Sequence, residues 1–184
     1  MSRGATGWGD TGQVGALKVR RAVEGDFEEW LALFEEVAAK ARWIGAEAPV
    51  DRDRARRVFD ARFDSEQAAT LIAETDGVLV GHLGVDLAGG VADLGMMVRE
   101  SHRGRGVGSR LLEACIDWSR AHGAHKITLT VWPHNEPALR LYERHGFVIE
   151  GRLRRHWRRR NGELWDALLM GLVLDTSSPG SPHE

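Results

Sequence analysis

The chain has 184 residues, a length typical of one domain with a substantial hydrophobic core. Its formal net charge of −2 gives no overall preference for nucleic acid or anionic membranes, and no apolar run approaches the roughly 20 residues that cross a bilayer. The single cysteine excludes an internal disulfide, and no stretch has the pattern of a signal peptide. We therefore expect a cytoplasmic protein that does not contact the membrane.

Both ends of the chain are poor in residues that could join a hydrophobic core. Residues 1–15 contain five glycines, and residues 175–184 are mostly small or polar. We predict two disordered tails, because such segments cannot bury enough apolar surface to offset their conformational entropy. One domain is then expected over residues 16–174.

The first half of this domain is predicted to contain one strand, two helices and a three-stranded meander. Residues 17–23 have the pattern of a strand. Apolar residues recur at helical spacing after Asp26, the expected N-cap, with Glu29 at the capping-box position. A second helix is expected near residues 51–63. Alternation and glycine turns then predict strands in the segments ATLIAE, VLVGHLGVDL and VADLGMMV.

The second half of the domain alternates between helical and extended patterns. A helix is expected at residues 107–122, a strand at 126–132 and a second helix at 135–146. A final hairpin is expected from strands at 147–157 and 163–174. The complete order is β-α-α-β-β-β-α-β-α-β-β. This order predicts an α/β fold with a mixed, mostly antiparallel central sheet of about seven strands and four flanking helices.

A glycine-rich loop lies where the predicted fourth strand gives way to the next helix. The run Arg103-Gly104-Arg105-Gly106-Val107-Gly108 has glycines at alternate positions, so backbone N–H groups can approach a ligand closely. The unpaired N–H groups of a helix start, together with the helix dipole, favour an anion there. The loop fits neither the Walker pattern nor GxGxxG, because Ser109 takes the third glycine position. A solvated, flexible turn is the alternative.

This loop and a second motif resemble the signatures of the GNAT acetyltransferase superfamily. The loop fits [R/Q]xxGxG/A, and Asn135, Tyr142 and the pair Gly146-Phe147 follow in the order of the second signature. The segment EGRLRRHWRRRNGELWDALLMGLVL is similar to the phosphinothricin-type and ribosomal-protein-type branch. The resemblance covers roughly residues 17–174. It implies the GNAT fold and an acetyl-CoA-dependent N-acetyltransferase.

The resemblance also implies which residues hold acetyl-CoA. The pyrophosphate is expected on the loop amides, which belong to Arg103, Gly104, Arg105, Gly106, Val107, Gly108 and Ser109. Splayed fourth and fifth strands would offer strand backbone to the pantetheine arm at Met96, Met97 and Val98; alternatively, these side chains are simply core. Asn135 either binds the pantetheine or caps its helix. No metal is implied.

Two side chains are candidates for proton transfer. Tyr142 is the only tyrosine, and the resemblance implies that it protonates the sulfur of CoA; the alternative is a packed aromatic ring with a bonded hydroxyl. Asp93 lies within an apolar strand, where a carboxylate is costly without a partner or a function. The resemblance implies that Asp93 is the base, directly or through water, whereas the alternative is an ordinary ion pair. The implied reaction is direct transfer in a ternary complex, without an acyl-enzyme.

The acceptor is expected to be a small-molecule or peptide amine, and the protein a monomer or a homodimer. By the same resemblance, Trp43, Trp165 and Asp166 are expected on the acceptor side; plain packing is the alternative for Trp43. His122 and His125 have no third ligand nearby in sequence, so we expect no zinc site.

An arginine-rich segment, residues 152–160, lies in the final hairpin. Its six arginines with a tryptophan between them are a pattern found where proteins bind RNA. We favour an exposed hairpin rim and expect no nucleic-acid partner. Replacing Arg158, Arg159 and Arg160 by glutamine should then leave turnover of small amines intact. The alternative function is a non-catalytic acyl-CoA-binding or ribosome-associated module that uses this segment.

Overall fold

The computed structural model describes residues 16–63 and 65–174, so the predicted tails at 1–15 and 175–184 lie outside the described residues. Within the described residues, all predicted strands and helices are present in the predicted order. The strands are β1 (Lys18–Arg21), β2 (Ala68–Thr75), β3 (Val78–Ala88), β4 (Val91–Val98), β5 (Lys126–Val131), β6 (Val148–Arg158) and β7 (Leu164–Val173). The helices are α1 (Phe27–Ala39), α2 (Arg52–Asp60), α3 (Val107–Ala121) and α4 (Glu136–Arg144).

The strands form one mixed sheet in the order β1-β2-β3-β4-β5-β7-β6, which confirms the predicted fold class. Neighbours are antiparallel except for β4 and β5, which run parallel because α3 carries the chain back between them. Their pairing is short and ends at Asp93 opposite Thr128. Since β4 continues to Val98 and β5 to Val131, the two strands diverge beyond that pair and leave an opening in the sheet.

The sheet is covered on both faces, and the two faces have different partners. On one face α3 and α4 pack against the strands through buried side chains that include Leu111 and Tyr142. On the other face, α1 and α2 contribute Trp30 and Phe59. Strand β3 is buried along most of its length because it lies between β2 and β4. This packing holds in place the strands that border the opening.

Asp26 occupies the predicted N-cap position of α1, but its side chain makes no capping hydrogen bond to the helix. The Asp26 carboxylate accepts hydrogen bonds from both terminal nitrogens of Arg20, at 2.6 and 2.8 Å, and from the Val23 amide at 2.7 Å. The Arg20 guanidinium therefore holds the pKa of Asp26 below its usual range. Helix α1 begins after a 3-10 turn without a side-chain cap, and Glu29 instead lies near the Leu79 amide, at 3.4 Å. A bidentate ion pair has replaced the weaker capping bond.

Helix α2 is shorter than the predicted 51–63. Asp51 caps its start, since the carboxylate accepts a hydrogen bond from the Arg54 amide at 2.9 Å. The helix ends at Asp60, and Arg62 then turns toward the sheet to bond Asp86 of β3. None of the described helices is long and apolar enough to cross a membrane.

Candidate active site

A cavity of about 780 Å³ occupies the opening between β4 and β5. The second half of β4 and the start of α3 form one side, and the end of β5 with α4 forms the other. The cavity continues to the segment between α1 and α2, where it meets Trp43, and to Trp157 of β6. Its volume is in the range of sites that bury a small ligand.

The glycine loop forms the end of the cavity at α3. Gly104 and Gly106 have φ angles of 73° and 83°, which glycine adopts without strain, and a β-carbon at either would meet nothing within 4 Å. Helix α3 has no side-chain cap, and its first regular hydrogen bond runs from Arg110 to the Gly106 carbonyl. The amides of Val107, Gly108 and Ser109 therefore have no helical partner. Open space in front of unpaired amides suits an anionic group.

The remaining loop residues differ in what they contribute. Gly108 faces Leu141 of α4 rather than open space. Arg103 donates from Nε to the Val98 carbonyl at 3.1 Å, and its guanidinium lies 5.3 Å from the Trp43 ring centre. Arg105 is exposed. Arg103 thus ties the loop to the end of β4, a role that sequence reasoning did not assign to it.

Met96, Met97 and Val98 of β4 were expected either to offer backbone to the pantetheine or to be simply core, and the structure is compatible with both. Met97 is buried against the α1 side, and Met96 packs on the α3 side of the sheet. Val98 is half-buried between them and the loop. The edge of these residues that faces β5 has no strand partner, because the β4–β5 ladder ends at Asp93; the Val98 carbonyl instead accepts the hydrogen bond from Arg103. Their side chains are core, and their backbone borders the cavity.

Asn135 also lines the cavity, and it caps α4. Its side-chain oxygen accepts a hydrogen bond from the Ala138 amide at 3.4 Å. This is one of the two roles that the sequence left open. The capping bond uses only the side-chain oxygen, so the side-chain nitrogen of Asn135 can still donate hydrogen bonds to a ligand.

Tyr142 lies on α4 and lines the cavity, although only 6% of its surface is exposed. Burial raises the pKa of its hydroxyl above the usual value, and the nearby Cys115 adds to the rise. The hydroxyl therefore keeps its proton throughout the physiological pH range. Such a group can donate a proton but cannot act as a base at neutral pH.

Asp93 lies at the last paired position of β4 and β5, where the cavity begins. The Thr128 hydroxyl donates a hydrogen bond to it at 3.0 Å, and Asp86 faces it across β3 and β4. Partial burial between the strands raises the pKa of Asp93; the Thr128 bond opposes the rise and the charge of Asp86 adds to it. Within the described residues Asp93 forms no ion pair, because Arg62 binds Asp86 instead. The structure therefore disfavours the ion-pair alternative.

The far end of the cavity is bordered by residues that the sequence analysis mostly missed. Trp43 was expected there, and it is accompanied by Arg62, Asp86, Trp132 and Trp157. These four are distant in sequence and belong to no local motif, so only the folded sheet brings them together.

Trp165 and Asp166 were also expected on the acceptor side, but neither borders the cavity. The Trp165 ring packs edge-on against Trp132, with ring centres 5.4 Å apart, and does not border the cavity. Asp166 binds the Arg152 side chain at 2.8 Å and the Arg155 amide at 2.8 Å. Asp166 is therefore occupied by the hairpin itself.

The exposed-rim interpretation of residues 152–160 is wrong for one arginine. Arg159 is only 3% exposed, whereas Arg158 and Arg160 on either side are exposed. The Arg159 guanidinium bonds the carbonyls of the segment between α1 and α2. The reason given for expecting all three arginines to be dispensable, an exposed position, therefore does not apply to Arg159.

The divergent parallel strands, the glycine loop at a helix start and the tyrosine on the next helix are the architecture of the acetyltransferases that the sequence resembles. A model of the acetyltransferase (GNAT) family matches residues 28–147. The chain therefore belongs to the GNAT acetyltransferase family, and the predicted enzyme class is confirmed.

Named relatives and solved structures agree with this assignment. The chain is 39% identical to the L-amino acid N-acetyltransferase AaaT of Escherichia coli (strain K12), over 56% of this chain and 67% of the relative. It is 27% identical to the L-methionine sulfoximine/L-methionine sulfone acetyltransferase of Pseudomonas paraeruginosa, over 75% of this chain and 84% of the relative. The crystal structure of a GNAT-family acetyltransferase from Streptococcus pneumoniae has a TM-score of 0.77 and 27% identity, covering 86% of this chain and all of that one.

Proposed function

We propose that the protein transfers an acetyl group from acetyl-CoA directly to a primary amine in a ternary complex. The observation that carries this proposal is the opening beyond the Asp93–Thr128 pair, which is bordered by the glycine loop and by the candidate acid and base. An acyl-enzyme is not part of the proposal. Burial raises the pKa of the Cys115 thiol to about 12, and Cys115 does not border the cavity.

The residues present suit acetyl-CoA, which would supply the acetyl group as an activated thioester. We assign the pyrophosphate to the open amides between Gly104 and Ser109 at the start of α3. We assign the pantetheine to the backbone edge of residues 96–98 that β5 leaves without a strand partner, where the groups other than the Val98 carbonyl, which bonds Arg103, can bond it as a neighbouring strand would. The side-chain amide of Asn135 lies on the opposite side of the cavity and is a further partner.

Asp93 and Tyr142 divide the proton transfers between them in this proposal. Asp93 accepts the proton of the acceptor amine, directly or through one water molecule. Its raised pKa makes it a better base than an ordinary aspartate near neutral pH. Tyr142 holds a proton that its raised pKa keeps in place, and we assign this proton to the sulfur of CoA.

We propose a small-molecule amine as the acceptor. The two curated relatives described above act, by their names, on amino acids or amino acid analogues. The acceptor end of the cavity carries two carboxylates, Asp86 and Asp93, and Arg62 pairs with Asp86, which leaves Asp93 without an ion-pair partner among the described residues. The unpaired carboxylate of Asp93 favours an incoming ammonium. A cytoplasmic monomer or homodimer stays a sequence-based prediction.

The experiment that tests the function is thiol release from acetyl-CoA with a panel of acceptors. The panel should contain amino acids, their decarboxylated amines, amino acid sulfones and a short peptide with a free N-terminus. Release with one of the small amines, and a matching mass increase of the acceptor, supports the proposal. A folded protein that binds acetyl-CoA but releases no thiol with any acceptor would instead support the non-catalytic acyl-CoA-binding module.

A further inference from the structure

Arg159 is a buried cation that the proposed chemistry does not use. It is 3% exposed and lies just after β6, in the turn that leads to β7. Burying a guanidinium is costly unless its N–H groups have hydrogen-bond partners and its charge is neutralised.

Those partners all lie in the segment between α1 and α2, more than a hundred residues earlier in the chain. One terminal nitrogen of Arg159 donates to the carbonyls of Ile44 and Gly45 at 3.3 and 3.1 Å. The other donates to the Ala41 carbonyl at 2.9 Å. The Glu47 carboxylate lies 3.4 Å from Nε and neutralises the charge. The guanidinium thus provides hydrogen bonds that a segment without helix or strand cannot make within itself.

Aromatic rings complete the surroundings of Arg159. The guanidinium carbon is 4.5 Å from the Trp165 ring centre and 5.7 Å from the Trp132 ring centre. Trp132 in turn packs edge-on against Trp157, with ring centres 5.7 Å apart. A β-carbon at Gly45 would be 3.0 Å from the Trp157 ring, so the segment lies directly against that ring. Arg159 therefore joins the end of β5, the β6–β7 hairpin and the α1–α2 segment.

The residues fixed by this arrangement border the acceptor end of the cavity, namely Trp43, Ile44, Gly45 and Trp157. We propose that Arg159 is a positioning residue for the acceptor: it holds the α1–α2 segment at the distance from Asp93 that a bound amine requires. This inference rests on the proposed function. The residues assigned to acetyl-CoA lie on other elements and, within the described part of the chain, make no hydrogen bond to Arg159; the loop and the segment are in contact through the packing of Arg103 on Trp43.

Lysine cannot take the place of this arginine. The planar guanidinium reaches three carbonyls and one carboxylate at once while its face packs against an indole ring. An ammonium group would keep the charge but could bond only part of this set. Arg159→Lys is therefore a variant that preserves a buried cation next to Glu47 and loosens the segment.

Steady-state kinetics of Arg159→Lys and Arg159→Gln test the inference. Arg158→Gln is the matched control, because Arg158 is exposed and its guanidinium has no hydrogen-bond partner among the described residues. We expect the KM for the acceptor to rise about tenfold or more in both Arg159 variants, since small misplacements of a substrate are costly. The KM for acetyl-CoA should stay near the wild-type value, and the control should match the wild type in both.

Hydrogen exchange of residues 40–50 provides a second readout that does not depend on turnover. We expect faster exchange there in Arg159→Lys, with α3 and the glycine loop unchanged. An acceptor KM equal to that of the wild type, or an equal rise in the KM of both substrates, would overturn the inference. A wild-type protein without turnover on any acceptor would overturn the proposed function instead. In that case hydrogen exchange still tests the inference, because an unchanged rate at residues 40–50 in Arg159→Lys would show that Arg159 does not hold the segment.

Discussion

Gly108 and Leu141 face each other at close range on the border of the cavity. A β-carbon on Gly108 would be 2.9 Å from Cδ2 of Leu141, closer than side-chain carbons normally approach each other. Gly108 is in the first turn of α3 and Leu141 is in α4. The missing side chain of this glycine therefore allows the start of α3 to lie close to α4 at the border of the cavity.

Enlarging Gly108 should weaken the binding of acetyl-CoA. In Gly108→Val the branched side chain would push the start of α3 away from α4 and displace the amides assigned to the pyrophosphate. We expect a severe loss of affinity by calorimetry in a variant that still folds, and a smaller loss for Gly108→Ala. Since the obstruction is Leu141, adding Leu141→Ala to Gly108→Ala should restore affinity to that of Leu141→Ala alone. Unchanged affinity in a folded Gly108→Val protein would refute the assignment of the loop to acetyl-CoA.

Removing the Tyr142 hydroxyl should slow turnover and leave acetyl-CoA binding intact. A thiolate departs fairly easily, so Tyr142→Phe should lower kcat by about 10- to 10³-fold, near the lower end of the range for general acids. Because burial raises the pKa of Tyr142, the wild-type enzyme should lose no activity to ionisation of this hydroxyl up to about pH 10. Stopped-flow or steady-state pH profiles measure both effects. A Tyr142→Phe enzyme with wild-type kcat would mean that water or the acceptor ammonium supplies the proton.

The carboxylates Asp93 and Asp86 should have separable effects on the acid side of the pH profile. The base must be ionised, so kcat should rise with pH through the raised pKa of Asp93. Asp93→Asn should lower kcat by about 10²- to 10⁴-fold. Asp86→Asn removes a negative charge facing Asp93 and should move the acid limb to lower pH. Thr128→Val removes the hydrogen bond that stabilises the ionised carboxylate of Asp93, so the acid limb should move to higher pH.

These two shifts of opposite sign serve as controls for each other. A general loss of stability would not move the acid limb of kcat in opposite directions. If the limb stays at its wild-type position in both variants, another group sets it, and Asp93 is not the base.

His82 should make the fold sensitive to acid. Its side chain is buried beside Trp30, and its Nε2 atom has no hydrogen-bond partner in residues 16–63 and 65–174. Burial, together with the charge of Arg62, lowers its pKa to about 3. The unfolded chain binds this proton below about pH 6.5, whereas the folded protein does not, so stability falls as the pH drops from there toward 3. His82→Leu should lose less stability than the wild type between pH 7 and pH 5, as measured by thermal or urea unfolding.

The matched control for this prediction is His156→Gln, because His156 is exposed. Its loss of stability over the same pH interval should equal that of the wild type. An identical loss in His82→Leu would show that other groups cause the acid sensitivity.

Local patterns were sufficient to predict the elements that border the cavity. Alternation in the segment VADLGMMV ends at Val98, and the structure ends β4 at that residue. The glycine run then places the start of α3 at Val107, as predicted. Each of these boundaries depends on neighbours in sequence, and such neighbours determine turn chemistry and hydrophobic period.

Residues whose partners are distant in sequence could not be assigned in the same way. Arg158, Arg159 and Arg160 are chemically identical, and the backbone direction of the hairpin decides which of them points inward. The irregular pairing between β6 and β7, with a φ angle of 54° at Arg155, is not encoded by any short motif. Asp26 has the sequence pattern of a cap, but Arg20 gives it a stronger partner once the first strand is in place.

The atoms that Arg159 bonds on the α1–α2 segment are mostly backbone oxygens, and this has an evolutionary consequence. A carbonyl is present whatever side chain the residue carries, so substitutions at Ile44 or its neighbours can change what the acceptor meets without removing the anchor. If this stretch borders the acceptor as proposed, amine preference can change by substitution within it while the hydrogen bonds of Arg159 persist.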